Sequence, residues 1–406
     1  MEPKIRLKGF SRKWEETKFD SLAKIRRGLT YSPSNITAKG VRVLRSSNIN
    51  EDTFVTSEDD VFVEKTCVNI PLANDGDILI TAANGSPRLV GKHAVVETNG
   101  STMVPGGFMV LAMTDEPYFL NTCMSSPWYK TFLKTGVAGG NGAIGNLNKT
   151  ALADSVFFIP SNKAERDSLA SFFQHLDTLI QSTSKKIESL NQVKSASLQS
   201  MFPLEGEPIP QIRMGKRTDS WNRCKLNDIL VERHEASTIT QELPQLSFTI
   251  AEGVIRPEDR KSNQRDFLIK DKDNKRYLIT RVGDIIYNPA NVVYGAIHRN
   301  SLIDGVVSPI YRIFTTNQDS RFIECVVRRP SFISQLAMRT EGTVTKLKTL
   351  KPEAFLDMTV SIPTDLEEQR MIGEFFRNLD SQIDLQTLRL EKLKQIKSAC
   401  LDNMFV

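Results

Sequence analysis

A glycine-rich segment is the first place in this sequence where chemistry could occur. The run Gly139-Gly140-Asn141-Gly142-Ala143-Ile144-Gly145 offers small residues of the kind that let backbone N–H groups surround a phosphate. However, no Gly-Lys-Ser or Gly-Lys-Thr ends the run, and no strong helix pattern follows it. We therefore interpret it as a flexible loop, in which Asn141, with Asn148 and Lys149 further along, could still contact a nucleic acid.

The second candidate for chemistry is Tyr287-Asn288-Pro289-Ala290. It shares an Asn-Pro pair with the Asn-Pro-Pro-Tyr motif of adenine methylation, in which the aromatic residue stacks on the flipped base. Here the second proline and the aromatic residue are missing, and no glycine-rich cofactor loop follows a predicted strand. We therefore expect no methyl transfer from this chain.

The histidines and cysteines do not suggest a metal site or a disulfide framework. The four histidines are dispersed, and the five cysteines are far apart, odd in number and never in a Cys-x-x-Cys pair. We expect no catalytic, cofactor-binding or metal-ligating residues, and cysteines that are free or buried thiols. The residues concerned are His93, His175, His234, His298, Cys67, Cys123, Cys224, Cys325 and Cys400.

The strongest pattern in the sequence is an internal repeat. Phe172-Phe173-Gln174-His175-Leu176-Asp177 returns as Phe375-Phe376-Arg377-Asn378-Leu379-Asp380, 203 residues later. With the same offset, residues 190–202 match residues 393–405 at 8 of 13 positions. Trp14 and the Gly-Asp-Ile run at 76–78 also recur, with an offset of 207. A repeat of about half the chain length indicates two copies of one unit.

Composition and charge limit the class of protein. The 40% apolar and 25% charged residues suit a globular protein, and no run of apolar residues suggests a membrane span or a secretion signal, so we expect a cytoplasmic protein. The net charge is +5, and the positive excess lies in residues 1–160 and 208–360, whereas residues 161–207 and 361–406 are slightly negative. This distribution is typical of globules that face a polyanion and helices that face protein.

The hydrophobic pattern divides each copy into a globule and a helix. Short β-rich runs occupy the first globule, with a short helix starting at Pro127. From Lys163 the apolar spacing changes to 3 or 4, and it does so again beyond Pro363. The sequence therefore predicts an α+β chain with a globule at 1–160, a long helix at 161–205, a globule at 206–361 and a long helix at 362–406.

The length of these helices predicts how they are covered. A helix from Lys163 to Met201 would be about 57 Å long, which exceeds the core of either globule. We expect the two equivalent helices to pair antiparallel, in a coiled-coil-like way, about a pseudo-twofold axis. Duplex DNA has twofold axes too, and dimeric readers use them to bind two half-sites. Because the copies differ, the expected target is bipartite and asymmetric, with a gap set by the helices.

Both helix entrances carry a shared motif, with Ile159-Pro160 before Phe172-Phe173-x-x-Leu176-Asp177 in the first copy and Ile362-Pro363 before Leu366-Glu367-Glu368-Gln369-Arg370-x-Ile372 in the second. These segments resemble those that open the conserved helices of one family, the specificity subunits of type I restriction-modification systems. Glu165-Arg166 is a weaker version of the motif because the Gln is missing. The second globule is similar to a common form of the family's target recognition domains at residues 246–249, 253–255, 282–289, 294–297 and 307–311, and residues 43–49 with 76–79 are the looser counterpart in the first.

This resemblance implies two α/β target recognition domains separated by the helix pair, in a subunit that binds DNA without cutting or methylating it. Two modification subunits carrying S-adenosylmethionine would bind along the helices. Restriction subunits would add translocation and cleavage that depend on ATP and Mg²⁺. No cofactor is expected in this chain, and no membrane is expected among its partners.

Base-reading residues should be polar side chains on loops or strand ends, since Arg suits guanine and Asn or Gln suits adenine in the major groove. The first globule offers Arg26, Arg27, Tyr31, Arg45, Ser46, Asn48, Asn84, Arg88 and Lys92. The second offers Arg256, Arg260, Lys261, Asn288, Asn291, Tyr294 and Arg299. Residues 84–88 and residues 288–291 form two clusters, each of which follows a Gly-Asp-Ile strand. Because these strands are equivalent in the repeat, we favour the two clusters over single residues as DNA contacts.

The repeated helices also offer candidates for partner binding. Lys194, Ser195, Lys397 and Ser398 recur in a way that a helix–helix seam alone does not require, so we predict that their outer faces bind the modification subunits. Two other classes of function stay open. One is a self-contained methyltransferase or nuclease with duplicated domains, and the other is a structural scaffold unrelated to DNA.

Overall fold

The computed structural model describes residues 2–138, 144–204, 206–260, 275–340 and 349–406. The chain forms two compact units, the first of Met1–Ser184 with Leu388–Val406 and the second of Lys185–Thr387. The predicted α+β class with two long helices is confirmed. Each long helix contributes side chains to both hydrophobic cores.

The elements of the first unit follow one another along the chain. Its strands are β1 (Trp14–Lys18), β2 (Lys24–Arg27), β3 (Ile36–Thr37), β4 (Val41–Leu44), β5 (Ile49–Asn50), β6 (Thr53–Phe54), β7 (Phe62–Val63), β8 (Ile78–Thr81), β9 (Ala83–Asn84), β10 (His93–Val95), β11 (Met103–Pro105), β12 (Met109–Met113), β13 (Val137–Ala138), β14 (Gly145–Leu147) and β15 (Val156–Pro160). Its helices are α1 (Phe19–Leu22), α2 (Pro117–Ser125), α3 (Pro127–Gly136), α4 (Lys149–Asp154) and the first part of α5 (Lys163–Ser200).

The main sheet of the first unit is antiparallel, with the strand order β10-β8-β12-β2. A second sheet has the order β11-β4-β7-β3, and in it β11 and β4 run parallel. Smaller sheets are β13-β14-β9, β1-β15 and β5-β6. The β1-β15 pair connects the start of the globule to the strand that leads into α5.

The second unit contains the corresponding elements of the second copy. Its strands are β16 (Asn222–Lys225), β17 (Leu230–Glu232), β18 (Ala236–Ser237), β19 (Ser247–Thr249), β20 (Gly253–Ile255), β21 (Tyr277–Thr280), β22 (Ile285–Tyr287), β23 (Ile297–Arg299), β24 (Gly305–Val307), β25 (Arg312–Thr316) and β26 (Thr359–Ile362). Its helices are α6 (Ser320–Arg328), α7 (Pro330–Met338), α8 (Pro352–Leu356) and the first part of α9 (Leu366–Met404).

The two globules share a sheet topology that their sequences hide. The order β17-β25-β22-β23 in the second unit repeats β2-β12-β8-β10 in the first, and β16-β26 repeats β1-β15. The shared Gly-Asp-Ile turn shows why the motif is retained: Gly76 and Gly283 have φ of +89° and +103°, which favours glycine. Asp77 and Asp284 each accept a hydrogen bond from the backbone N–H three residues before them.

Both long helices begin in the same way. A strand ends at a proline-containing turn, and the side chain of Asn162 or Asp365 then accepts a hydrogen bond from the backbone N–H two residues on. α5 contains 38 residues and α9 contains 39, so the predicted helices are confirmed. Residues just beyond the end of each helix complete the cores: Phe405, which follows α9, contacts Phe173 in the first unit, and Phe202, which follows α5, contacts Phe376 in the second.

Candidate nucleic-acid interface

In each unit an ion pair joins the two long helices. Lys397 Nζ lies 2.7 Å from Asp177 Oδ1 in the first unit, and Lys194 Nζ lies 2.5 Å from Asp380 Oδ1 in the second. In the first unit Phe173 contacts Phe405 four residues before Asp177 and eight residues after Lys397, and in the second unit Phe376 contacts Phe202 in the same opposite order relative to Asp380 and Lys194, so the predicted antiparallel pairing is confirmed within each unit.

These ion pairs revise one part of the sequence interpretation. The repetition of Lys194 and Lys397 has a reason within the helix pair, because each lysine neutralises a carboxylate of the other helix. Ser195 and Ser398 are exposed, and so are Val193 and Ile396, whose exposed fractions are 47% and 48%. Partner binding stays a prediction for this repeated exposed surface.

A second repeated ion pair anchors each globule to a long helix, and it was missed by the sequence interpretation. Arg6 donates two hydrogen bonds to Glu165, both of 2.8 Å, and Arg213 donates two to Glu368, of 2.9 and 2.6 Å. The two carboxylates are 1% and 0% exposed. The signal was present in the sequence, because Arg6 and Arg213 have the same offset of 207 as Trp14 and Trp221.

The first helix entrance lacks the glutamine of the motif, but an arginine makes the equivalent hydrogen bond. In the second unit Gln369 donates to the Pro363 carbonyl at 2.8 Å. At the repeat-related position in the first unit, Arg166 donates to the Pro160 carbonyl at the same distance and also makes two bonds to Glu116. The arginine therefore closes the same turn as the glutamine.

Four predicted DNA-reading residues meet at one surface in the first unit. A cavity of about 750 Å³ is lined by Tyr31, Arg45, Ser46 and Asn84, which come from three separate parts of the chain. The Asn84 amide donates to the Ser46 hydroxyl at 3.2 Å. The apolar residues Ile36, Phe108 and Ile144 line the same cavity, and none of them was predicted. The first globule thus gathers polar and apolar groups that could face DNA together.

The two favoured clusters share a local conformation. Asn84 Oδ1 accepts a hydrogen bond from Ser86 N at 2.9 Å, and Asn288 Oδ1 accepts one from Ala290 N at 3.0 Å. This side-chain turn follows the equivalent strands β8 and β22 in the two units. In the second cluster the chain then turns through Asn291 to Tyr294, which is 64% exposed.

Three of the predicted DNA-reading residues make hydrogen bonds within their own globule. Asn48 is 1% exposed and donates to the Val55 carbonyl and to Asp60. Arg26 donates to two backbone carbonyls, those of Pro71 and Leu72.

The third is Arg299, which donates to Ser320 and whose pKa is lowered by burial. In all three cases the polar side chain already has a partner within its own globule, and base reading by these residues stays a prediction. Arg233, the counterpart of Arg26 in the repeat, is likewise engaged within its globule, since its Nε and Nη2 donate to the two carboxylate oxygens of Asp284.

The remaining candidates differ in accessibility. Arg27, Arg88, Arg256 and Arg260 are exposed, and Lys92 and Asn291 are partly exposed. Lys149 lies close enough to Arg27 that burial and this neighbouring charge lower the pKa of the lysine. Lys261 and Asn141 lie outside the described residues.

The described ranges contain a buried tyrosine and five free cysteines among the groups considered for chemistry. Tyr287, which precedes Asn288-Pro289, is fully buried against Phe314. All five cysteines are free thiols, and the described residues contain no group of three or more His, Cys, Asp or Glu that could hold a metal ion. Among the helices of the described ranges, none has the length and apolar composition that crossing a membrane needs.

Comparison with solved structures identifies the fold. The crystal structure of the type I restriction-modification system S subunit from M. genitalium matches with a TM-score of 0.62 at 13% identity, over 100% of this chain and 99% of that chain. The chain therefore has the fold of a type I S subunit, and the assignment rests on this match.

Two further structures from type I systems match less closely. One, from work on complex assembly and conformational transition of the type I R-M system, has a TM-score of 0.43 at 12% identity over 96% of both chains. The HsdS subunit from Thermoanaerobacter tengcongensis has 0.39 at 13% identity, over 97% of this chain and 96% of that one. No family model and no curated protein matches the chain.

Proposed function

We propose that this protein is the DNA-specificity subunit of a type I restriction-modification system. It recognises a bipartite, asymmetric DNA target and positions two modification subunits, to which restriction subunits are added. The observation that carries the proposal is a contrast between the copies: the helix contacts are repeated pair for pair, whereas the loops after equivalent strands differ. Repeated surfaces suit two identical protein partners, and different loops suit two different half-sites.

In this proposal the chain itself transfers no methyl group and cuts no DNA. S-adenosylmethionine belongs to the modification subunits, and ATP and Mg²⁺ serve the restriction subunits. The test is incubation of the purified chain with DNA and either S-adenosylmethionine or Mg²⁺. We expect no product from the chain alone, and methylated adenine once the modification subunits are added. Methylation or cleavage by the chain alone would support a self-contained enzyme instead.

Salt dependence separates a DNA reader from a scaffold unrelated to DNA. Binding that neutralises phosphates releases counterions, so affinity must fall steeply with salt concentration. Replacing the exposed Arg88 or Arg256 with Gln should reduce the slope of log affinity against log salt by about one. Arg370, an exposed residue of α9 that pairs with Glu367, is the matched control and should leave the slope unchanged. Affinity that does not change with salt would favour the scaffold.

The gap between half-sites offers a further test of the bipartite target. Both helices are continuous elements that contribute to both units. Inserting four residues, about one turn, into α5 and α9 together should lengthen the tolerated gap. Mapping methylated adenines in the source genome, with and without this gene, supplies the target on which the gap is measured. A gap that stays the same after the insertion would reject the helices as its determinant.

A further inference from the structure

Phe108 is a large apolar side chain that the first unit leaves in solvent. It is 68% exposed and lies between β11 and β12. Ile36 and Ile144, which are 51% and 53% exposed, line the same cavity. A single exposed apolar residue needs no explanation, but a cluster around a cavity marks a binding surface.

The backbone that carries Phe108 is held in place from both sides. The Phe108 carbonyl accepts hydrogen bonds from Ala82 N at 2.9 Å and from Ala83 N at 3.0 Å. Just before it, Gly106 N donates to the Leu44 carbonyl at 2.8 Å. The ring is therefore presented from a fixed position, which lowers the entropy cost of a contact.

The second unit exposes an apolar side chain at the equivalent position. β12 pairs with β8 through Ala112↔Ile78, and β25 pairs with β22 through Phe314↔Ile285. Since Ile78 and Ile285 are equivalent in the repeat, counting back along the partner strands makes Ile310 the counterpart of Phe108.

Ile310 is 60% exposed. The two loops share no sequence at this point, yet both keep a large apolar group in solvent.

Polar groups suited to one kind of base pair stand beside these residues. Asn84 lines the cavity with Phe108. In the second unit Tyr287 pairs with Arg312, so Asn288 and Ile310, one and two residues beyond this pair, emerge at the same edge of the sheet. An asparagine amide suits adenine in the major groove, and the same base pair offers the thymine methyl group to an apolar side chain.

We infer that Phe108 and Ile310 contact a thymine methyl group, one in each half-site of the target, and so help to specify an A·T pair there. This inference rests on the proposed function. Among the four natural bases of DNA, thymine alone presents a methyl group in the major groove, so an apolar contact at this point discriminates against the other pairs.

The test uses the full chain and its mapped target, with each thymine replaced in turn by deoxyuridine, which removes the methyl group alone. Burying one methyl group corresponds to roughly a fourfold change in affinity. We expect one sensitive thymine in each half-site for the unaltered protein. Phe108→Ala should abolish the sensitivity in one half-site, and Ile310→Ala should abolish it in the other. Tyr118→Ala, which removes an exposed aromatic residue of α2, should preserve both.

The outcomes distinguish a failure of this inference from a failure of the proposed function. Sequence-specific binding in which both penalties persist in the Phe108 and Ile310 variants overturns this inference and leaves the proposed function intact. Half-sites without any sensitive thymine overturn it as well. Failure of the unaltered chain to bind any sequence specifically overturns the proposed function itself. Phe108→Leu, which keeps an apolar group, should retain part of the sensitivity and so separates lost contact from lost folding.

Discussion

Lys397 Nζ lies 2.7 Å from Asp177 Oδ1, and each residue of this pair comes from a different copy of the repeat. The counterpart, Lys194 with Asp380, is exchanged in the same way, with the lysine from the first copy and the aspartate from the second. Neither copy can form such a pair from its own residues in this arrangement. The duplication therefore produced a helix pair in which each half supplies what the other lacks.

Loss of the lysine in the first pair should destabilise the first unit. Lys397→Met leaves Asp177, whose pKa is already raised by burial, without its cation, and we expect a loss of about 1 kcal/mol in the free energy of unfolding. Chemical denaturation measures it. Lys163→Met, in the exposed pair with Asp167 on the same helix, is the control and should cause no measurable change. If the two substitutions lower the free energy of unfolding equally, the ion pair between the helices stabilises the protein no more than an exposed pair within one helix.

Loss of Arg213, which anchors the second globule, should lower the free energy of unfolding by more than loss of Lys397 does. Arg213→Ala removes the two hydrogen bonds to the fully buried Glu368 carboxylate and leaves it, among the described residues, only Arg217, at 4.0 Å, and breaking a buried pair in this way costs about 3 kcal/mol. Calorimetric or denaturant unfolding of the full chain should show an earlier transition. Arg370→Ala, which removes an exposed arginine from α9, the helix that carries Glu368, serves as the control. The prediction is wrong if Arg213→Ala unfolds together with the unaltered protein.

His298 should make the second unit sensitive to acid. Burial, with the charge of Arg328, lowers its pKa from 6.5 to about 4, and the ring contacts the Ile250 carbonyl at 2.8 Å. Between pH 6.5 and 4 the unfolded chain binds a proton at His298 whereas the folded chain does not. The contribution of His298 to the free energy of unfolding is therefore fully present above pH 6.5 and is lost as the pH falls to 4. The loss amounts to roughly 3 kcal/mol at most.

Unfolding measured as a function of pH tests this contribution. His298→Gln should flatten the dependence between pH 6.5 and 4. The pH dependence of this variant is compared with that of the unaltered protein, because a second group contributes to both. Burial raises the pKa of the neighbouring Glu324, so its protonation stabilises the folded chain as the pH falls. His234→Gln, at an exposed histidine, should keep the slope of the unaltered protein. An unchanged slope in His298→Gln would contradict the assignment.

The repeated outer surface of the helices predicts how many modification subunits each variant binds. Ser195 and Ser398 are exposed on equivalent turns, so a tryptophan at one of them should block one partner only. We expect Ser195→Trp and Ser398→Trp each to bind one modification subunit, and the double variant to bind none. Mass measurement of the assembled complex counts the subunits. Two subunits retained on the double variant would place the binding surface elsewhere.

The helices and the repeat were predictable because their signals are local. The spacing of apolar residues at 3 or 4 gives the face of a helix without reference to the rest of the chain, and α5 begins and ends within one residue of the predicted Lys163–Met201. The two Gly-Asp-Ile strands were predicted for the same reason, since β-rich runs and turn residues act over a few positions, and they form β8 and β22.

Tertiary structure alone decided which polar groups face solvent and which side chains are equivalent. Asn48 and Arg26 have the residue types of base readers, yet both donate hydrogen bonds to groups elsewhere in their own globule. Asn48 donates to the Val55 carbonyl and to Asp60, and Arg26 donates to the carbonyls of Pro71 and Leu72. Phe108 and Ile310 differ in residue type and in flanking sequence, and only the register of β12 on β8 and of β25 on β22 shows that they correspond. Such facts depend on contacts between segments far apart in the chain, and local sequence patterns carry no record of those contacts.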